Sequence, residues 1–510
     1  MKVKNKRGIR IQTRIIVSAV MILLQLIMLF SMFFSLSSHL IWFYTLIEVL
    51  SIFLSVYIIN RQDNPAYKLA WIVFILIVPF LGVPAYLFWG GGRVLPHLKR
   101  RMRESEANYL DLLPDDREAV NKLCYEDLLH CRQASYLSGE TGFPVYSGTS
   151  AEYLSPGEKL LPRLIEELKK AKEYIFIEFF ILAEGKMWDE IHEVLKQKAA
   201  EGVEIKIIFD DFGSIKRQQK GFVSALRKEG ISVSIFNKIR PSVDICMNNR
   251  NHRKIIVIDG KTALTGGINI ADEYANYIER FGYWMDCGIL LHGDAVKSFT
   301  VMFMSMWTFT TGQVLDGKKY IKNACEPHDG FVLPYCDGPL NERDPAEGIY
   351  MQILNTAQRY VYIVTPYLIV NSTMITALSL AAKSGIDVRI VTPKKWDKWY
   401  VHPVTQHNYE PLLEAGVKIY EYTPGFIHSK IFLSDDSIAT VGTINMDYRS
   451  FYIHFECGAW ICRNKAVGEI RDHFNEILSQ CEEITLGVWR KRPLMMKIKQ
   501  TLLSLFSPFM

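Results

Sequence analysis

Residues Ile427–Asn445 read IHSKIFLSDDSIATVGTIN, and residues Asn251–Asn269 read NHRKIIVIDGKTALTGGIN. Both follow one pattern, H-x-K-x4-D-x6-G-[GT]-x-N: His252, Lys254, Asp259, Gly266, Gly267 and Asn269 in the first, His428, Lys430, Asp435, Gly442, Thr443 and Asn445 in the second. The β-branched runs HRKIIVI and HSKIFL predict strands. Alternation along a strand puts His and Lys on one face while the intervening apolar residues enter the core. Each aspartate falls at the strand end, at odd spacing from its histidine, so it is expected to fix the turn. It completes the motif, however, and Asp259 and Asp435 are counted with His252, Lys254, His428 and Lys430 in the catalytic set. The small pairs are read as letting a ligand approach the next strand, with Gly267, Thr443, Asn269 and Asn445 as the phosphate-binding set.

A neutral imidazole, an ammonium and an amide on one wall suit a phosphodiester. Lys and Asn can stabilise charge on the phosphoryl oxygens while His attacks phosphorus. One copy gives half a site. If two such walls face each other, one histidine serves as nucleophile and the other as the acid that protonates the leaving alcohol, in opposite protonation states. Downstream of each copy lies a matching segment, WMDCGILL and HFECGAWI, with Asp286 and Glu456 in the same place. A carboxylate there can bond the far nitrogen of a catalytic histidine and fix its tautomer. His192, His402 and His407 join no such set, and no H-E-x-x-H pattern or comparable cluster calls for a metal.

The repetition extends well beyond the motif. From Gly139 onward strand-like runs alternate with amphipathic helical windows: YIFIEFFIL, MWDEIHEVLKQKAAEG, VEIKIIFDD, GFVSALRKEG, ISVSIF. The order recurs as YVYIVTPYL, TALSLAAKSG, IDVRIVTPKK, NYEPLLEAG, VKIYEY, aligning Tyr174 with Tyr360, Gly202 with Gly385 and Gly230 with Gly416. The alternation predicts an α/β fold, helices on both faces of a sheet, and the repeat predicts two similar domains of about 180 residues each. The expected division is 139–330 and 331–510, preceded by charged linker helices over 93–138 along the membrane surface and a membrane region over 1–92.

That first region holds three apolar runs, 15–36, 40–59 and 69–89, each near the roughly 20 residues that cross a bilayer. A signal peptide is the rival reading of the first run, whose apolar part is longer than a typical h-region and lacks a small-residue cleavage site. Basic residues precede the first run and follow the third, so the positive-inside rule places both flanks in the cytoplasm, which three full crossings cannot satisfy. Pro79, Gly82 and Pro84 in VPFLGVPAY predict a break that lets the third run dip in and out, with a kinked spanning helix as the alternative. Lys plus Arg number 59 against 54 Asp plus Glu, too small a surplus to argue for nucleic acid. The nine cysteines form no C-x-x-C pattern, which argues against a zinc ribbon or a disulfide framework and suits a reducing compartment.

These motifs resemble the phospholipase D superfamily with its paired HKD motifs, and within it the bacterial cardiolipin synthases. The likeness runs from VPFLGVPAYLFWGG through both motif copies and PGFIHSKIFL to the tail RKRPLMMKIKQTLLSLFSPFM. It implies two α/β/α sandwich domains related by a pseudo-twofold axis behind transmembrane or re-entrant helices. It also implies a multi-pass protein of the bacterial cell membrane, its catalytic domains cytoplasmic, that transfers a phosphatidyl group without metal or cofactor. The implied route is a phosphohistidine: one phosphatidylglycerol docks, glycerol leaves, and a second attacks to give cardiolipin, with His252 as nucleophile and His428 as acid and base. Two features depart from the family: the run 15–36 is additional, and in YIHFE His454 stands where members often carry Asn. A phospholipase D-type hydrolase or nuclease would share every catalytic residue and differ only in the acceptor, while a non-catalytic scaffold is opposed by two intact motifs. In the tail, basic residues interleave with apolar ones, which suits an amphipathic helix on anionic lipid, or one docked on its own domain.

Overall fold

The alternating runs after Gly139 form two mixed sheets of one plan, in a computed structural model that describes residues 41–61, 64–90, 96–239, 248–324, 329–340 and 344–510. The first half supplies β1 (Thr149–Leu154), β2 (Tyr174–Phe179), β3 (Glu204–Asp210), β4 (Ser232–Phe236), β5 (Ile255–Ile258), β6 (Thr262–Gly266), β7 (Tyr283–Met285) and β8 (Gly288–Gly293). The second supplies β9 (Phe331–Asp337), β10 (Tyr360–Val364), β11 (Leu368–Ile369), β12 (Asp387–Pro393), β13 (Lys418–Tyr422), β14 (Gly425–Ile427) and β15 (Ile431–Ser434). It continues with β16 (Ile438–Gly442), β17 (Met446–Asp447), β18 (Glu456–Cys462) and β19 (Cys481–Ile484). The sheet orders are β1-β8-β6-β5-β2-β3-β4 and β19-β13-β12-β10-β15-β16-β18-β9. Read in the same direction they match strand for strand, with β19 an added edge.

In both sheets three strands run parallel, β2-β3-β4 and β10-β12-β13, and the strand following each histidine joins them antiparallel. β2 and β5 are buried along their whole length, as expected of strands covered on both faces. β7 and β14 belong to neither large sheet. They pair with each other in parallel, Ile427 opposite Met285, and so join the two halves just before His428 and Asp286.

The charged segment read as linker helices packs one face into the core of the two-sheet body. Its helices Pro96–Leu110, Arg117–Glu126 and Leu128–Thr141 bury Met102, Tyr109, Leu123 and Leu137 in the large core. Most of their charged residues lie on the outer faces, which is why the sequence reads as a linker although one stripe of each helix is buried. Gln133 accepts from Trp460 Nε1 at 3.2 Å and donates to Thr356, tying the segment to the second sheet.

At the N-terminal end, α1 (Ile41–Ile59), α2 (Pro65–Ile77) and α3 (Pro79–Ala85) pack around Leu54, Ile58, Trp71, Ile75, Val83 and Tyr86. The third apolar run does break: Val78 is non-helical at φ −131° and ψ 68°, and Pro79 starts a new helix. Gly82 lies against α2, where a Cβ would come within 2.6 Å of Ile75 Cα. Among the described residues no helix is long and apolar enough to cross a membrane. The run 15–36 lies outside the described residues. Cys124 and Cys131 are paired as a disulfide, which the scattered cysteine spacing did not suggest.

Between the halves runs α4 (Val296–Thr311), buried from Val296 to Thr308 and mostly apolar, with its buried Lys297 paired to Asp294 at 2.7 Å. Phe303 stacks on Phe176 of β2 with ring centroids 4.4 Å apart. The tail forms α5 (Leu494–Ser504), docked through buried Gln500, which donates to Gln406 at 3.4 Å. Replacing Phe303 with Ala is expected to destabilise the fold by about 3–5 kcal/mol, as for large aromatic truncations in cores. A lowered urea midpoint measures it, and an unchanged midpoint would show that α4 is not a load-carrying part of the core.

Candidate active site

Each histidine is set by backbone bonds to the other half. His252 N donates to Phe455 O at 2.9 Å, and His428 N donates to Met285 O at 2.7 Å. These bonds bring each motif next to the opposite half's carboxylate. His252 Nδ1 lies 2.9 Å from both oxygens of Glu456, and His428 Nδ1 lies 2.7 Å from Asp286 Oδ2. A bond to an ionised carboxylate makes Nδ1 the donor and leaves Nε2 with a lone pair. The carboxylates anticipated as orienting groups are therefore exchanged between the halves, a pairing that spacing along one chain cannot reveal.

Both lysines are buried beside their histidines. Lys254 Nζ donates to His252 O at 2.6 Å, and Lys430 Nζ donates to His428 O. Burial pushes Lys254 down to about 7, with Lys430 adding to the shift and Glu456 opposing it. Burial likewise lowers Lys430 to about 8 against the pull of Asp286. His252 falls well below the usual imidazole range, through burial first and then the charges of Lys254, Lys430 and His428. His428 is lowered to about 4 by burial and Lys430, with Asp286 opposing. The two carboxylates differ. Burial opposes the charge of Asp286, but His428 and Lys430 outweigh it and hold its carboxyl below the ordinary value. Burial raises Glu456 to about 7 despite Lys254 and the Thr443 hydroxyl.

Several expected ligand contacts prove to be supports. Asp259 accepts backbone N–H bonds from Lys172, Glu173 and Tyr174 at 2.7–2.8 Å, and Asp435 does the same from Gln358, Arg359 and Tyr360 at 2.8–2.9 Å. Both therefore leave the catalytic set: each caps the far end of its strand and fixes the register with the antiparallel neighbour, β2 or β10. Gly267 and Thr443 are likewise corrected. A Cβ on Gly267 would stand 2.0 Å from Asp286 Oδ1, so glycine there makes room for the carboxylate. The Thr443 hydroxyl donates to Glu456 Oε2 and accepts from Cys457 N at 3.0 Å. Gly266 and Gly442 admit the next strand, since their Cβ atoms would meet Gly288 Cα at 2.5 Å and Gly458 Cα at 2.6 Å.

Asn269 Oδ1 accepts from Ile181 N at 3.0 Å, and its Nδ2 donates to Tyr274 Oη at 2.7 Å. At most a second amide hydrogen remains for a ligand. Asn445 Nδ2 donates to Asp447 Oδ2 at 3.1 Å, and its Oδ1 is buried without a hydrogen-bond partner among the described residues.

Residues outside the motif also shape the site. Tyr274 and Trp284 pack on the His428 ring at 5.5 and 5.4 Å, while Phe180 and His454 flank His252 at 5.1 and 5.7 Å. The aromatics could not be found from sequence, but His454 carried a signal as a departure in YIHFE. His252, His454 and Glu456 place ligand atoms within 4.8 Å of one another, the grouping among the described residues that could hold a metal ion. Burial first, then the charges of His252, Arg449, Lys254 and Arg250, hold His454 well below the usual imidazole range.

Two sheets of matching strand order, each with one buried His-Lys pair whose histidine bonds a carboxylate of the other half, define a phospholipase D-like protein. The sequence profile described as "Cardiolipin synthase, PLD-like domain" matches residues 164–307 and 350–478, and that of a phospholipase D-nuclease N-terminal region matches 49–91. A cardiolipin synthase of Geobacillus sp. is 32% identical over 470 residues, spanning 91% of this chain and 93% of that protein. A Streptococcus mutans protein described only as uncharacterized is 39% identical over 460 residues, 89% of this chain and 99% of its own. The crystal structure of phosphatidylserine synthase from Haemophilus influenzae overlays with a TM-score of 0.57 at 13% identity, covering 74% of this chain and 98% of that one, a likeness of fold. The chain belongs to the cardiolipin synthase family of phospholipase D-like proteins.

Asp286→Asn is expected to lower kcat on the order of 10³-fold by removing the charge that stabilises a protonated imidazole. Carbon-13 histidine NMR should then show a lower pKa at His428 and little change at His252, with Glu456→Gln acting on His252 alone. The opposite assignment would contradict the exchanged pairing.

Proposed function

We propose that the protein makes cardiolipin and glycerol from two molecules of phosphatidylglycerol through a covalent phosphohistidine. His252 Nε2 attacks the phosphorus of the first lipid, the bond to the headgroup glycerol breaks, and His428 gives that glycerol its proton. A headgroup hydroxyl of the second lipid then attacks phosphorus, returns a proton to His428 and releases His252. Lys254 and Lys430 offset charge on the non-bridging oxygens. The similarity to cardiolipin synthases supports the substrate class. The observation that bears most of the weight is the pair of histidines, each fixed through Nδ1 by a carboxylate of the other half.

The difference between those carboxylates supports the order of roles. His428 is lowered to about 4 in the empty site by burial and Lys430, with ionised Asp286 opposing, so the acid role requires a bound phosphodiester anion to complete the stabilisation of the imidazolium that Asp286 begins. His252 faces Glu456, raised to about 7, and is itself held well below the imidazole range, which suits a neutral nucleophile. We place the protein in the bacterial cell membrane through the region 1–92, with the catalytic body on the cytoplasmic side. A lipid-facing mouth would favour a lipid alcohol over water as acceptor.

The full-length protein incubated with phosphatidylglycerol and chelator, without added metal, is expected to yield cardiolipin and glycerol. Phosphatidic acid and glycerol would establish a hydrolase instead, and absence of any turnover would remove the catalytic reading. The pH profile has a definite sign. Lys254 and Lys430 lose their charge as pH rises through about 7 and about 8, so kcat/KM should fall on that side. His252 stays neutral on acidification past the ordinary imidazole value, so no acid limb is expected near about 6.5. A limb there would contradict the depressed nucleophile.

A further inference from the structure

We infer that the segment 394–400 and the outer face of α5 form one docking surface for an anionic lipid bilayer, seating the mouth of the site on the membrane independently of the N-terminal helices. The inference rests on the lipid reading above.

The segment KKWDKWY between β12 and the helix His402–His407 leaves Trp396, Trp399 and Tyr400 exposed at 51%, 58% and 39%. Soluble surfaces seldom gather large aromatics beside lysines this way, whereas membrane interfaces favour both. α5 adds a second apolar face. Its inner side is fixed by Gln500 and by Arg492, which pairs with Glu410 at 2.6 Å, while Leu494, Ile498 and Leu502 point to solvent. The docked face thus leaves outward the residues that an interfacial helix buries in lipid.

Three contacts make these pieces one surface. Lys499 Nζ lies 5.4 Å from the Trp399 ring centroid, joining α5 to the aromatic segment. Val401, Leu503 and Met510 share an apolar cluster with Ala66 at the start of α2. Phe509 packs on Tyr67 and Trp71 at 5.6 and 5.9 Å, and its carbonyl accepts from Arg449 at 2.9 Å. The patch is therefore continuous with the N-terminal helices, whose Phe53, Leu87 and Phe88 are also exposed. Lys499 supplies charge that an anionic headgroup layer complements, while Lys398 is paired with Asp397 at 3.0 Å.

The same segment borders the catalytic pocket. Tyr367 Oη donates to Asp397 Oδ2 at 2.6 Å and accepts from Lys398 Nζ at 2.6 Å. The charge of Lys398 is felt at His252, and that of His428 at Asp397. A bilayer holding Trp396 and Trp399 would lie beside the opening through which both lipids enter.

The test uses the full-length protein in vesicles of equal phosphatidylcholine and phosphatidylglycerol, the phosphatidylcholine brominated near its headgroup to quench tryptophan on contact. Trp396 and Trp399 are two of ten tryptophans, and Trp396→Phe with Trp399→Phe should measurably reduce the quenched fraction. Lys499→Glu should reduce quenching in these vesicles and leave it unchanged in pure phosphatidylcholine. Equal quenching in wild type and the double variant overturns the proposal, whether the patch is bare or covered by protein. Cardiolipin formation by wild type in the same vesicles is scored separately, so a failed docking surface and a failed catalytic reading give different results.

Discussion

The site depends on an exchange: His252 is held by Glu456 from the second half and His428 by Asp286 from the first. Neither half alone contains a properly oriented histidine. The backbone bonds that precede each histidine, to Phe455 and Met285, make that exchange a property of the fold rather than of side-chain rotamers. The pairing of β7 with β14 and the buried α4 hold the halves in the relation that the exchange requires. Duplication thus produces one site by making each copy dependent on its twin.

Near-symmetry does not make the two positions equal. Gly267 leaves space beside Asp286, whereas Thr443 places a hydroxyl against Glu456. Aromatic rings crowd His428, and a second histidine stands beside His252. The carboxylates respond in opposite directions, Asp286 downward and Glu456 up to about 7. A double displacement needs such a difference, because one imidazole must be bare when the other holds a proton.

Much of the architecture was legible in sequence because strand period and turn residues are local signals. The repeat predicted two sheets, and Pro79 predicted the break in the third apolar run. The histidines and lysines were legible because their pattern recurs with identical spacing, although they lie in the segments just before β5 and β15 and not on the strand face that the alternation predicted. The roles of Asp259, Asp435, Gly267 and Thr443 were only partly so. Their partners lie in other strands, and a motif shows that residues recur together without showing what each touches. The core contacts of the linker helices were not legible for a related reason: a charged helix with one apolar stripe looks like a surface element until its neighbours are known. The exchange of carboxylates is set by packing between domains, which no local pattern encodes.

The most direct measurement of the central claim is to mix the His428→Asn variant with phosphatidylglycerol radiolabelled in phosphate, quench in base, and map the labelled peptide. Label confined to the peptide containing His252 is the predicted result, since that imidazole attacks while the partner needed for release is missing. Label on a peptide lacking His252, or on residue 428 in the converse His252→Asn variant, would contradict the assignment and the shared site built on it.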